Sequence, residues 1–338
     1  MAVARPPARL NDFIGQPRVV AHVHDLVTGA RRREEPVESL LLLGPPGHGK
    51  TALAEAIARQ YDGSRSADSS NIKTISAGPH MTSAIVENLS ALKHCDFFFI
   101  DEIHSLDREA QEVLNLAIDE LRTFKCTAKG KVDRGQPPGS ISKFTLIGAT
   151  TEPGKLTHAL RSRLHSITLE AYEQRALKAI TEKAADELAL NMTHQAARHL
   201  AEHSQRTPRD VKRLVKLLAV TKSGLSKIDQ QTVRVFLDEL GIDERGLNPS
   251  QQEYLRILAT ASGRRTNLAI LRARLGLDAK YIQEDVESLL TLLRLVEIGS
   301  GGRTLTEEGR AVADEMARER LAKETREATD YEPAEEAT

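Results

Sequence analysis

Tryptophan is absent from this chain of 338 residues, and aromatic residues make up only 4% of it. Single-stranded nucleic acid held on stacked aromatic platforms is therefore not expected. Cysteine is nearly absent as well. Cys95 and Cys126 are the only two, which excludes a disulfide scaffold and a four-cysteine zinc site. Cys95 abuts an apolar strand and reads as a buried thiol. A bulk charge of either sign is missing too, since the formal net charge is −1. Nucleic-acid binding would have to come from local basic patches. No apolar run reaches the ~18 residues of a membrane span, and the opening MAVARPPARLNDF has no apolar signal-peptide core. The expectation is a cytoplasmic protein in a reducing compartment, with no membrane partner.

What is present is an ordinary globular composition, 40% apolar and 28% charged, in a chain long enough for two or three domains. Up to residue 171, short apolar strands alternate with helix patterns. The strands are expected at Ser39–Leu43, Ile72–Ser76, Asp96–Ile100, Lys143–Ala149 and Ser166–Leu169. The helices are expected at Pro17–Gly29, Lys50–Gln60, Thr82–Lys93 and Arg108–Leu121. Such alternation implies an α/β fold with a parallel sheet covered on both faces. Phe124–Ser142 interrupts it, reading as a hairpin-like excursion with basic Lys125, Lys129, Lys131 and Arg134. From Tyr172 to Leu240 the pattern is helical. There Val211, Leu214, Val215 and Leu218 mark one buried face. After the linker GIDERGLNP come three helices, Pro249–Ala261, Asn267–Leu275 and Ala279–Leu293. A hairpin of Leu295–Ile298 and Arg303–Thr306 follows, the shape of a winged helix. The boundaries read as 1–171 for the α/β domain, 172–243 for a helical domain, 244–310 for the winged helix and 311–338 for an acidic C-terminal helix and tail.

GPPGHGKT at Gly44–Thr51 lies between the apolar run Leu40–Leu43 and a helix, and fits G-x-x-x-x-G-K-S/T. Glycines let the backbone approach phosphate oxygens, and the helix start turns unpaired N–H groups toward them. Gly44, Pro45, Pro46, Gly47, His48, Gly49, Lys50, Thr51 and Ala52 form the candidate cradle. Lys50 should reach the β- and γ-phosphates, and Thr51 should ligate Mg²⁺. His48 reads as a loop filler. FFFIDEIH, at Phe97–His104, supplies the second half: Asp101 for the Mg²⁺ shell and Glu102 to deprotonate the attacking water. ATP hydrolysis is the expected chemistry, and no N-K-x-D motif points to GTP. His199, Glu202 and His203 fit a zinc-protease spacing, but sit in an amphipathic helix and read as its solvated face.

These residues resemble those of the AAA+ ATPases. FIGQ (Phe13–Gln16), GPPGHGKT, FIDEIHSL, FTLIGATTEPGKLTHALRSR (Phe144–Arg163) and RTPRDVKRL (Arg206–Leu214) occur in that family's order. Within it they look like the RuvB family, the motors of Holliday junction branch migration in DNA recombination and repair. The similarity runs from about Arg5 to Arg303. It implies a fold of a AAA+ P-loop sheet domain, a helical lid and a C-terminal winged helix. It implies that Ile14 and Gly15 face the adenine and that Thr151 is the first sensor, with Thr150 its neighbour. It further implies that Arg163 is an arginine finger with Arg161 as companion, and that Arg209 is the second sensor. A finger acting in trans implies a homo-oligomeric ring, a hexamer. The partner implied is double-stranded or branched DNA, held by its phosphate backbone.

The chain departs from the family pattern in places. His48 stands where the family has Leu, Leu164 where it prefers Phe, and Arg206 where it has Gly. The excursion at Phe124–Ser142 corresponds to the hairpin with which RuvB grips RuvA. Its basic, Gly/Pro-rich composition offers no apolar docking surface and argues against a RuvA-like partner. The wing, Gly299–Arg303, has Arg303 as its one cation. The helix entering the groove carries Asp278, Glu284, Asp285 and Glu287 against Lys280 alone, leaving Arg264, Arg265, Arg272 and Arg274 to meet phosphates. The alternative reading is therefore a AAA+ ATPase that remodels or switches a protein, with the winged helix as docking module.

Overall fold

The structure is a computed structural model that describes residues 9–63, 71–127, 131–133, 135–222, 224–261 and 263–329. Lys129 and Arg134 of the basic excursion, and the tail beyond residue 329, lie outside the described residues. The chain divides after Gln230 into two compact units.

The first unit is built on a parallel sheet of β1 (Leu40–Leu43), β2 (Ile72–Ser76), β3 (Phe97–Asp101), β6 (Thr145–Thr150) and β7 (His165–Thr168), in the order β2-β3-β6-β1-β7. The short pair β4 (Arg122–Thr123) and β5 (Gly139–Ser140) is antiparallel and closes the base of the excursion as a hairpin. The five strands expected from sequence all form, with ends shifted by one or two residues. Their side chains alternate between two cores. Leu40, Leu42, Phe97, Phe99, Ile147 and Ala149 face one core with α1 (Pro17–Arg32) and α2 (Lys50–Asp62). Leu41, Phe98, Ile100 and Leu146 face the other with α3 (Thr82–Ser90) and α4 (Arg108–Glu120). Burial on both faces explains why the strands read as unbroken apolar runs. In α4, Asp107 caps the start by accepting from the Ala110 N–H. Ala110, Val113, Leu114 and Ala117 are buried at helical spacing. Cys95 is only half-buried, contrary to the reading of a buried thiol; its backbone turns left-handed at φ 66° just before β3.

A short helix α5 (His158–Arg161) precedes β7. Then come α6 (Gln174–Glu187), α7 (His194–Glu202) and α8 (Pro208–Thr221). α8 starts cleanly because Thr207 accepts from the Asp210 N–H and Pro208 occupies the first turn. Its face of Val211, Leu214, Val215 and Leu218 is fully buried, as the periodicity predicts.

The second unit begins within α9 (Gln230–Glu239), followed by α10 (Pro249–Thr260), α11 (Leu268–Leu275) and α12 (Ala279–Tyr281). α12 runs through a π-helical turn, Ile282–Val286, into α13 (Glu287–Leu292). The wing is β8 (Val296–Gly299) against β9 (Gly302–Leu305), and the chain ends in α14 (Glu307–Thr329). Tyr254, Leu255, Leu271, Ile282, Val286 and Leu290 form its core. Arg245 holds α14 through Glu315 and Glu319, each at 2.7 Å.

Candidate functional site

The candidate residues gather at the carboxyl ends of β1, β3 and β6, beside the point where strand order reverses about β1. β1 runs straight into the loop 44–49. Gly47 takes φ 78°, and a Cβ there would stand 3.1 Å from the Arg209 Cβ and 3.2 Å from the Thr207 Oγ1. Glycine at this position therefore lets the start of α8 sit directly on the loop, with the Arg209 N–H donating to the Gly47 carbonyl at 3.4 Å. Gly49, at φ 91°, opens α2.

Lys50 is buried and donates to the carbonyls of Gly44 (2.8 Å) and Pro45 (3.1 Å). Burial pushes its ammonium below the ordinary lysine value. The charges of Glu102 and Asp101 oppose that shift, and Arg209 adds to it. The charges of Glu102, Asp101 and Arg209 thus all act on Lys50. Thr51 donates its hydroxyl to the Asp101 carboxylate at 3.3 Å. A hydroxyl beside a carboxylate is a hard oxygen donor set of the kind Mg²⁺ takes, and the pair fits that ion.

Asp101 ends β3 and accepts from the Glu102 N–H through its other oxygen, at 3.0 Å. Glu102 stands in the left-handed region at φ 51°, so the chain turns sharply and leaves its carboxylate half-exposed. His104 had no role in the sequence reading. Its Nδ1 lies 2.9 Å from the Thr150 Oγ1 and 3.2 Å from Glu102, and its Nε2 lies 3.3 Å from Glu152. The ring therefore joins the end of β3 to the end of β6. The Thr150 hydroxyl is taken up in this network, also accepting from the Glu152 N–H at 2.9 Å. Thr151, the expected sensor, is half-buried at the next position, with no side-chain hydrogen bond among the described residues.

His48 is buried, its Nδ1 is 3.2 Å from the Pro46 carbonyl, and its ring meets Tyr172 edge-on. Burial lowers its pKa; the Pro46 contact opposes the shift and Lys50 adds to it. Tyr172 donates to the His48 carbonyl at 3.1 Å, and its ring blocks any Cβ at Gly15, which would come within 2.7 Å. Gln16 clamps the FIGQ segment to the end of β7 by exchanging hydrogen bonds with the Glu170 backbone, at 2.6 and 3.0 Å. Between these parts lies a pocket lined by Phe13, Ile14, Gly49, Ala52 and Tyr172 and by Lys183, Glu187 and Lys212 of the helices α6 and α8. The last three were not foreseen from sequence.

Two expected residues are not brought to this centre. Arg163 follows α5 and is bound to Asp119 of α4, with Nε 2.8 and 2.7 Å from the carboxylate oxygens and Nη2 2.5 Å from one of them. Arg161 beside it is exposed. Among the described residues, no contact joins either arginine to the loop 44–51. Asp119 was also missed, since only the fold brings it opposite a residue 44 positions later.

In the second unit the wing corrects the sequence reading. Arg303 is not a free cation: it makes a paired contact with buried Glu287 (2.9 and 3.3 Å), which also accepts from Tyr254 at 2.8 Å. Glu287 is accordingly not part of the acidic surface of the groove helix. The exposed cation at the wing is Arg265, whose side chain lies along the glycine turn, its Nη1 2.7 Å from where a Gly299 Cβ would stand.

Three family models match consecutive stretches of the chain: the Holliday junction DNA helicase RuvB P-loop domain over residues 5–169, the RuvB AAA lid domain over 172–243, and the RuvB C-terminal winged helix domain over 244–313. The chain is similar to the Holliday junction branch migration complex subunit RuvB of Helicobacter pylori, at 33% identity over 92% of this chain and 91% of that protein. The protein of the same name from Rubrobacter xylanophilus is also 33% identical, over 89% of this chain and 84% of its own length. Among solved structures, the Thermotoga maritima RuvB Holliday junction branch migration motor superposes with a TM-score of 0.76 at 30% identity, covering 91% of this chain and 98% of that one. The relatives' name is that of one subunit of a complex, which overturns the expectation against a RuvA-like partner. That expectation rested on loop composition alone. In the structure Phe124, Cys126, Val132 and Ile141 of the excursion pack inward on the sheet core, so the missing apolar surface says nothing about docking.

Proposed function

The chain belongs to the RuvB family of AAA+ P-loop ATPases, and from that premise we propose that it is an ATP-driven motor that moves duplex DNA to drive Holliday junction branch migration, as one subunit of a complex. The observation that carries the ATPase reading is the convergence of Lys50, Thr51, Asp101 and Arg209 on one loop. Lys50 and the loop N–H groups hold the β- and γ-phosphates. Glu102 takes the proton of the attacking water, and His104 holds the Glu102 carboxylate. Thr151 touches the γ-phosphate or that water, and Arg209 carries the state of the site into the lid. Thr51 and Asp101 would hold Mg²⁺, which when bound offsets the charge of the phosphate oxygens. Arg163, with Arg161, acts on the nucleotide of the next copy in a hexameric ring, which accounts for its lack of contact with its own loop. A cytoplasmic location goes with work on DNA, and no helix among the described residues is long and apolar enough to cross a membrane.

The DNA grip falls to exposed Arg264, Arg265 and Arg272, cations that meet phosphates and position the duplex without reading bases. A motor that must pass along any sequence needs no more. The test is ATP turnover with and without a four-way junction, together with strand exchange from that junction. Turnover raised several-fold by DNA, with affinity falling steeply as salt rises, is the expected result. Turnover indifferent to DNA would overturn the reading and favour a protein substrate.

A further inference from the structure

The pocket beside the phosphate loop has two unlike walls. Phe13, Ile14, Ala52 and Tyr172 make an apolar slot suited to a flat ring. The other wall is charged, with Lys183 and Glu187 on the last turns of α6 and Lys212 on α8. Lys183 is committed, donating to the Asp12 carbonyl at 3.3 Å. Glu187 is not: its Oε2 is sealed from solvent and has no hydrogen-bond partner. Lys212 has no ion-pair partner among the described residues either, although burial lowers its pKa while the charge of Glu187 opposes and that of Lys183 assists the shift.

A sealed carboxylate oxygen with no donor is costly, and native proteins rarely keep one without a use. Its natural partner is a ligand N–H. An acceptor beside a donor is the complement of the adenine edge, where the 6-amino group adjoins a ring nitrogen that accepts. The 6-oxo group of guanine would instead set oxygen against oxygen. We propose that Glu187 and Lys212 read the nucleobase, Glu187 accepting from the 6-amino group of adenine and Lys212 donating to the neighbouring ring nitrogen. The proposal rests on the ATPase reading and adds the residues that choose the base. The apolar slot by itself accepts any purine, so the choice of base falls to polar groups at its edge.

The test is binding of ATP, GTP and purine riboside triphosphate, which lacks the 6-amino group, measured by titration calorimetry on the full chain. The parent should bind ATP about 10-fold or more tighter than either analogue. Glu187→Leu should lose that preference, whereas Glu187→Gln, which keeps an acceptor oxygen, should retain most of it. The Gln variant also guards against a fold defect at the site. Equal binding of ATP and purine riboside triphosphate by the parent, or discrimination kept by Glu187→Leu, overturns the proposal. A parent that binds none of the three overturns the ATPase reading itself.

Discussion

Arg206 stands at φ 55°, in the left-handed region, at the turn that feeds α8. A side chain there costs about 1 kcal/mol relative to glycine, and the Arg206 side chain is exposed, with no hydrogen bond or ion pair among the described residues to offset it. The turn survives because its backbone is held elsewhere: the Gln205 N–H donates to Asp210 at 2.8 Å, and Thr207 caps the helix. Arg206→Gly should therefore stabilise the first unit by about 1 kcal/mol, raising its melting midpoint by roughly 2–4 °C in calorimetry. An unchanged or lower midpoint would show that the arginine is held by something else. His48 is a second residue-scale departure, and its burial gives a pH dependence. Its folded pKa lies below the ordinary 6.5, so the unfolded or opened loop binds the proton more readily. Loop stability is then full above pH 6.5 and is lost as pH falls from there through the lowered folded value. ATP affinity should weaken between pH 7 and 5.5 in the parent and weaken less in His48→Leu. The difference between the two proteins is the readout, since the titration of ATP itself is common to both.

At the scale of elements, the ends of β3 and β6 are joined by one imidazole. His104 meets Glu102 and Thr150 through Nδ1 and Glu152 through Nε2, so the proposed base and the sensor strand are held by one ring. His104→Ala should lower kcat roughly 10- to 100-fold, with KM for ATP little changed, because it loosens the position of Glu102 without touching the phosphate cradle. A rise in KM with unchanged kcat would assign His104 to binding instead. This coupling also shows what the sequence could and could not tell. β1, the glycine loop and α2 are contiguous, and each is marked by local chemistry: an apolar run, glycines, a helix start. They were legible for that reason, as were Asp101 and Glu102 at the end of an apolar strand. The face of α8 was legible from its period. Glu287 and Arg303 were not. Both sit on segments that read as surface, and only folding brings β9 of the wing to the start of α13 and joins the two residues sixteen positions apart. Glu187 and Lys212 escaped for the same reason, one lying at the end of α6 and the other inside α8.

For the whole molecule the decisive feature is that Arg163, the proposed finger, is bound to Asp119 and makes no contact with its own phosphate loop among the described residues. Arg163 is engaged by Asp119 and by the Ala159 carbonyl at 2.6 Å, an arrangement that keeps the guanidinium ordered and leaves it 32% exposed. A cation worth about 10³–10⁵ in phosphoryl transfer has to come from somewhere, and a neighbouring copy is the source that a ring supplies. Under the proposed reading each catalytic site is composite, with Lys50, Thr51, Asp101 and Glu102 from one copy and Arg163 from the next. Lys50→Ala alone abolishes every cradle, and Arg163→Ala alone abolishes every finger, so neither protein should turn over ATP. Mixed in equal amounts under conditions that allow rings to exchange copies, they should regain turnover, because an Arg163→Ala copy offers an intact cradle to the finger of a Lys50→Ala neighbour. Random mixing puts that pairing at about a quarter of the sites, which sets the activity to be expected if each composite site works independently. Recovery should vanish when copies are crosslinked before mixing. Full turnover by the parent at concentrations where light scattering finds only single chains would remove the composite site, and with it the assignment of Arg163.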